Sequence, residues 1–227
     1  MVKMYLVGGF VRDRLMGVAS KDMDFAVEAE SFAEMHREIM RRGGKIYLET
    51  PEYLTIRAKV PEWGDADFVL CRKDGEYVDG RHPETVEIGT LHDDLARRDF
   101  TMNAIAMAED GDYIDPFDGQ KDIQEGVIRC VGSARERFQE DYLRMLRAIR
   151  FAITKDMLLS ADISDCLEDE AMVGKLLSVS VERIREELHR CFMFNTAATL
   201  WMLDEYRLIR DVIFKQTDLR LKPTLER

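Results

Sequence analysis

No stretch of the 227-residue chain approaches the roughly eighteen consecutive apolar residues that a membrane-spanning helix needs, which argues against a helical membrane protein. The chain enters an apolar strand almost at once, without the charged-then-apolar pattern of a secretory leader. Cysteine is scarce: Cys71, Cys130, Cys166 and Cys191 lie far apart, and no pair has zinc-site or redox spacing. Reduced thiols in a cytoplasmic protein are expected. Internal repeats and low-complexity segments are absent. Nor does any Ser or Cys sit in a constellation that would activate it as a covalent nucleophile. Positive charge is the minority sign, with 33 Lys and Arg against 44 Asp and Glu, a net −11. That disfavours broad, non-specific nucleic-acid binding but leaves room for a local basic track. One such track runs from Arg129 to Arg150, with six arginines (Arg129, Arg135, Arg137, Arg144, Arg147, Arg150) against three acids, a local +3. A solvated face is the ordinary reading of such a run. Arginine is nevertheless the better residue for phosphate and base contacts.

The most informative positive feature is Gly8-Gly9 followed by Asp22-Met23-Asp24. Tyr5-Leu6-Val7 reads as a short strand, Gly8-Gly9 as a turn whose N–H groups can approach an anion, and Phe10 to Met16 as a helix whose N-terminus favours phosphate. Past Lys21 the chain re-enters a strand in which Asp22 and Asp24 share one face, Met23 and Phe25 the other. Two carboxylates about 7 Å apart along one strand suit Mg²⁺, which takes few carboxylates and completes its shell with substrate oxygens.

The rest of the first 130 residues alternates strands and helices. Ser31 opens a helix with apolar Phe32, Met35 and Ile39, closed by Gly43-Gly44. Lys45–Leu48, Leu54–Val60 and Asp65–Cys71 read as strands, Lys73–Pro83 as a polar loop, Val86–Ile88 as a strand and His92–Ala96 as a short helix. Asn103–Ala108 and Asp112–Asp115 form a hairpin about Asp110-Gly111, and Pro116–Gly119 a further turn. From Ser133 the pattern becomes helical, with a stripe at Tyr142, Leu143, Leu146, Ile149 and Ile153. Helices are expected over Ile163–Leu177, Val181–Phe194 and Thr196–Tyr206, with a loosely structured tail after Lys215.

Three further clusters carry chemistry. Asp67, in the strand Ala66–Leu70, is a third strand-borne carboxylate suited to metal binding or proton abstraction; Asp65 has the same parity and competes for the role. Arg97-Arg98-Asp99 with Asn103 brings together groups that neutralise phosphate and bond ribose hydroxyls, although a basic helix C-terminus gives the same pattern. Glu140-Asp141 opens a helix in which Asp141 and Arg144, at i and i+3, offer a base an acceptor and a donor fork. A plain helix salt bridge is the alternative.

In order and spacing these motifs resemble the class II tRNA nucleotidyltransferase and bacterial poly(A) polymerase family, a branch of the polymerase-β-like nucleotidyltransferases. The similarity runs from about residue 3 to about residue 213 through Tyr5–Asp13 with Asp22-Met23-Asp24, Arg97–Ala104, Asp115–Gly119, Glu140-Asp141 with Arg144 and Arg147, and Glu182-Arg183 with Glu186. The resemblance implies an α+β fold: a head with a mixed, largely antiparallel sheet over residues 1–132, an all-helical neck over 133–214, and a tail over 215–227. It implies that Asp22 and Asp24 hold two Mg²⁺ ions and that Asp67 stands where the family usually has Glu. Gly8, Gly9, Arg12 and Lys21 would surround the triphosphate, with Arg97, Arg98 and Asn103 in the second motif. Asp99 would read the ribose 2′-OH and Asp141 with Arg144 the base of CTP or ATP. Arg147 and Arg150 would support phosphate or the templating helix. The segment Lys73–Asp94, with Tyr77, Asp79, Gly80, Arg81, His82 and Pro83, resembles the flexible loop that CCA- and A-adding members keep and CC-adding members shorten.

The implied activity is attack of an RNA 3′-OH on the α-phosphate of CTP or ATP with release of pyrophosphate, most simply CCA addition to tRNA. A-only or poly(A) addition, and a nucleotide- or RNA-binding module without activity, are the alternatives. A small-molecule or protein nucleotidyltransferase is disfavoured by the Asp141–Arg144 segment. Family members usually continue into body and tail domains that grip tRNA; a short natural enzyme, a split gene or a truncation would each account for the length, and a compensating homodimer is left open.

Overall fold

The computed structural model describes residues 2–20, 22–75 and 84–216. The expected tail after residue 216, Lys21 and the loop residues Tyr77 to Pro83 lie outside them. The chain divides into two units. One takes the chain through Glu125 together with Cys130–Gly132; the other takes Gly126–Arg129 and the chain from Ser133 onward.

The first unit holds β1 (Lys3–Val7), α1 (Gly9–Leu15), β2 (Met23–Glu28), α2 (Phe32–Arg41), β3 (Lys45–Thr50), β4 (Thr55–Val60), β5 (Gly64–Leu70), β6 (Arg72–Asp74), β7 (Val86–Ile88), α3 (Leu91–Ala96), β8 (Ala106–Met107), β9 (Tyr113–Ile114) and α4 (Gly119–Glu125). Seven strands form one sheet in the order β3-β4-β5-β2-β1-β8-β9. Only β2 and β5 run parallel, so the sheet is mixed and largely antiparallel, as expected. Period-2 alternation in β2 and β5 sends Phe25, Val27, Phe68 and Leu70 to one face, where they pack with Ile56, Met35 and Ile39. The Phe25 and Phe68 rings stack with centroids 5.0 Å apart. Each such side chain contributes about 1.5–3 kcal/mol relative to exposure. The opposite face carries Tyr5, Val7 and Ala26 under Leu91 and Leu95 of α3. Glu28 accepts a hydrogen bond from the Leu91 N–H at 2.7 Å, fastening α3 over the far end of β2. The near end of that face, at Asp24, is left to the groove described below.

Several local expectations need correcting. Lys73 and Asp74 belong to β6, paired with β7, rather than to a loop. Asn103 lies in a 3₁₀ turn, Thr101–Asn103, and only Ala106–Met107 and Tyr113–Ile114 form the hairpin strands. Helix α4 went unanticipated; Asp115 caps it, accepting from the Gly119 and Gln120 N–H groups at 2.8 Å each. Gly119 itself is sterically required, since a Cβ there would come within 2.2 Å of the Thr101 carbonyl oxygen. Gly119→Ala is expected to cost about 1–3 kcal/mol by overpacking, read as a lower denaturant midpoint at unchanged slope. An unchanged midpoint would mean that the turn yields freely.

The second unit comprises β10 (Val127–Ile128), α5 (Ala134–Glu140), α6 (Arg144–Lys155), β11 (Leu158–Leu159), α7 (Ala161–Leu167), α8 (Glu170–Gly174), α9 (Val181–Phe194), α10 (Thr196–Glu205) and α11 (Arg207–Asp211). It is not wholly helical, because β10 and β11 pair in parallel. The helix expected over Ile163–Leu177 is broken, because the Asp169 carboxylate accepts from the N–H groups of Ala171 and Met172 and starts α8 afresh. Leu143, Leu146, Ile149 and Ile153 of the expected stripe are buried, and Tyr142 partly so. Helix α6 packs on α9. All four cysteines are free and buried. Burial pushes the Cys191 thiol up to about 12, so it is inert near neutrality. No helix among the described residues is long and apolar enough to cross a membrane.

Candidate active site

Asp22, Met23 and Asp24 line one groove with Arg57, Asp65, Ala66 and Asp67. The sheet register explains this assembly. β2 and β5 place Asp24 opposite Asp67, and β4 and β5 place Arg57 opposite the same Asp67. Burial raises the Asp24 carboxyl above its ordinary range, the like charges of Asp67 and Asp22 push the same way, and Arg98 and Arg57 oppose them. The two readings of β5 separate here: Asp67 faces Asp24, whereas Asp65 accepts from the Tyr47 hydroxyl at 2.7 Å. Among the described residues no three His, Cys, Asp or Glu side chains could hold a metal by themselves. The carboxylates that are present fit an ion that relies on substrate oxygens, since Asp22, Asp24 and Asp67 offer hard oxygen donors to one groove.

Gly8 adopts φ 67°, ψ −134°, a conformation in effect reserved for glycine, and so turns β1 into α1. A Cβ on Gly8 would lie 3.1 Å from Arg98 Nη1 and 3.9 Å from Asp24 Oδ2. The glycine turn, an arginine of the second motif and an acid of the first thus meet at one point. Arg98 and Arg97 are both held by Asp94, which is 1% exposed: Arg98 Nη2 donates to Oδ2 at 2.8 Å, and Arg97 Nε donates to Oδ1 at 3.0 Å. Nearby, Arg12 Nη1 donates to Asn103 Oδ1 at 2.7 Å, and Asn103 Nδ2 donates to Asp99 Oδ1 at 3.0 Å. Arg12, Asn103 and Asp99 therefore form one buried chain of charge-assisted bonds. Gly9 opens α1 beside the Arg12 guanidinium.

In the second unit the expected Asp141–Arg144 pair is absent as a pair. Asp141 caps the end of α5 in extended conformation instead of opening a helix, and its Oδ1 accepts from the Leu143 N–H at 3.1 Å. Its Oδ2 accepts from Arg183 of α9 at 2.7 Å, whereas Arg144 donates to Glu140 at 2.6 Å and to the Arg137 carbonyl at 3.0 Å. Arg150 pairs with Glu187, one helical turn beyond Arg183, and stacks 4.0 Å over the Phe151 ring; Arg147 lies 5.6 Å from the same ring. The arginine track is thus largely neutralised within its own unit, since Arg135 pairs with Asp169 and Arg137 with Glu140.

Sequence reading missed Arg57, Asp94 and Glu187. Arg57 and Glu187 become visible only once strand register and helix packing are known. Asp94 had a local signal, because acids at i−3 and i−4 from Arg97 and Arg98 fall on one helix face.

The family model for the poly A polymerase head domain matches residues 4–129. The CCA-adding enzyme of Geobacillus kaustophilus is 42% identical over 187 residues, 82% of this chain and 44% of that protein. The structure of the Bacillus stearothermophilus CCA-adding enzyme in complex with CTP is similar at TM-score 0.74 and 32% identity, covering 90% of this chain and 48% of that one. A tRNA nucleotidyltransferase complexed with a primer tRNA and an incoming ATP analogue is similar at TM-score 0.75 and 31% identity, covering 93% of this chain and 59% of that one. The chain spans about half the length of the curated relatives it matches. Fold, groove and family model agree: the chain belongs to the poly(A) polymerase head domain family.

Proposed function

We propose that the protein is a magnesium-dependent RNA 3′-end nucleotidyltransferase of the cytoplasm, adding CMP and AMP from CTP and ATP to tRNA to build or repair CCA. One observation carries the reading: Asp24 and Asp67 face each other across the parallel strands, beside a glycine turn backed by Arg98. The first unit acts as catalytic head and the second as the neck that reads the nucleotide.

Gly8 and Gly9 leave the backbone open to the triphosphate, and Arg98, Arg97 and Lys21 offset its charge. Arg12 and Asn103 fix Asp99, whose carboxylate reads the ribose 2′-OH. Asp141, steadied by Arg183, and Arg144, steadied by Glu140, present an acceptor and a donor to the base edge, with Arg147 and Arg150 bracing that helix. Asp22 and Asp24 would hold magnesium, which when bound supplies charge neutralisation at the attacking and leaving oxygens. The primer hydroxyl attacks the α-phosphate in line and pyrophosphate leaves. Asp67, paired opposite Asp24 in the strand register, would join Asp22 and Asp24 at the metal or take up that hydroxyl proton.

The test is a tRNA ending before, within or after CCA, incubated with Mg²⁺ and each labelled nucleotide, with its products sequenced. Wild type is expected to add C, C and A and stop, and Asp22→Ala to add nothing. No extension by wild type, or equal extension by Asp22→Ala, rejects the reading. Long A-tails from ATP alone would select poly(A) polymerase instead.

A further inference from the structure

Among the described residues lining the carboxylate groove, Arg57 is the lone cation against Asp22, Asp24, Asp65 and Asp67. Its guanidinium engages both oxygens of Asp67: Nε donates to Oδ1 at 2.6 Å and Nη2 to Oδ2 at 2.7 Å. Register lines up Arg57, Asp67 and Asp24 on three adjacent strands. Arg57 is nonetheless 59% exposed and Asp67 29%, so the fork is at the solvent edge, where ion pairs part readily.

We propose that Arg57 is a positioning residue that keeps Asp67 from coordinating a cation until nucleotide arrives, so that metal enters the groove with the triphosphate and not ahead of it. This rests on the reading of Asp22 and Asp24 as metal-holding groups. A divalent ion arriving alone must take Asp67 from a bidentate partner and then lie a few ångströms from a guanidinium, which repels it. A nucleotide removes both obstacles. Its phosphate oxygens are equally good acceptors for the planar fork, and its negative charge draws the cation in.

The experiment is Mn²⁺ binding followed by electron paramagnetic resonance on the whole chain, with and without a non-reacting CTP analogue. Wild type is expected to bind Mn²⁺ at least about tenfold more tightly with the analogue. Arg57→Gln is expected to raise nucleotide-free affinity by about tenfold and so narrow that gap. In an Asp67→Asn background the same substitution should change little, because the carboxylate it releases is gone. A gap unaltered by Arg57→Gln, or an equal gain in the Asp67→Asn background, overturns the role of Arg57 and leaves the proposed activity standing. No gap in wild type likewise overturns the role of Arg57, while the proposed activity stands or falls on the extension assay. A melting temperature near that of wild type controls for folding. If Arg57→Gln fails that control, Arg57→Lys, which keeps the charge and loses the fork, is read by the same gap.

Discussion

Asp94→Ala is expected to destabilise the protein by about 3–5 kcal/mol, the usual cost of removing one partner from a buried ion pair. The carboxylate is buried and binds two guanidinium groups, so its loss strips the shared acceptor from both, although Arg97 keeps Asp74 and Arg98 keeps the Asn103 carbonyl. For a chain of this size the melting temperature should fall by roughly 6–20 °C. Activity should fall further than stability explains, because Arg98 is the side chain nearest a Cβ on Gly8. Burial alone would raise the Asp94 carboxyl, but Arg98 and Arg97 outweigh it and the net shift is downward. A depressed acid contributes stability above its unfolded value of about 3.9, and that contribution drains away as pH falls through the lower folded value. The gap between wild type and Asp94→Asn should therefore hold from pH 7 to about 5 and shrink below about 4. A gap independent of pH would show that the carboxyl acts through packing and not through charge.

Asp24→Asn is expected to do the reverse to stability while removing activity. Its carboxyl is raised, chiefly by burial and then by the neighbouring Asp67 and Asp22. A raised acid gives stability that is whole below the unfolded value and lost as pH rises through the folded one. Wild type thus carries a destabilising charge at neutral pH that the asparagine does not. In chelator at pH 7 the variant should melt higher than wild type, and the advantage should vanish below about pH 4. Nucleotide addition should drop on the order of 10³-fold or more, since Asn supplies no charge for a cation. A variant that melts lower than wild type at pH 7 would contradict the charge assignment. One that keeps full activity would contradict the catalytic one.

How much of this was legible depended on the range of the interaction. The strand–turn–helix at Val7–Gly9 and the alternation Met23–Phe25 are local, and both were read correctly from residue periodicity. That Asp67, and not Asp65, lies opposite Asp24 depends on the pairing of β2 with β5, residues some forty positions apart, which no local pattern encodes. Asp141 misled because it sits just before a helical stripe. Its side chain offers the Leu143 N–H a bond of its own, and the helix is delayed to Arg144. Asp169 broke an expected helix for the same reason. The arginine track looked basic because its countercharges, Asp169 and Glu187, come from α8's cap and from α9.

The order in which the chain visits its two units has a practical corollary. Gly126–Arg129 belongs with the second unit, where β10 pairs with β11, and the chain then returns to the first through Cys130–Gly132. There Cys130 bridges to Phe100, and the Val131 N–H donates to the Asp99 carbonyl at 3.2 Å, next to the proposed ribose-reading acid. No single cut separates the halves cleanly. A fragment stopped at Glu125 loses the strap beneath Asp99, and one begun at Ser133 loses the partner of β11. Attempts to express either half alone, or to graft a different neck onto this head, must carry both segments or accept a frayed border.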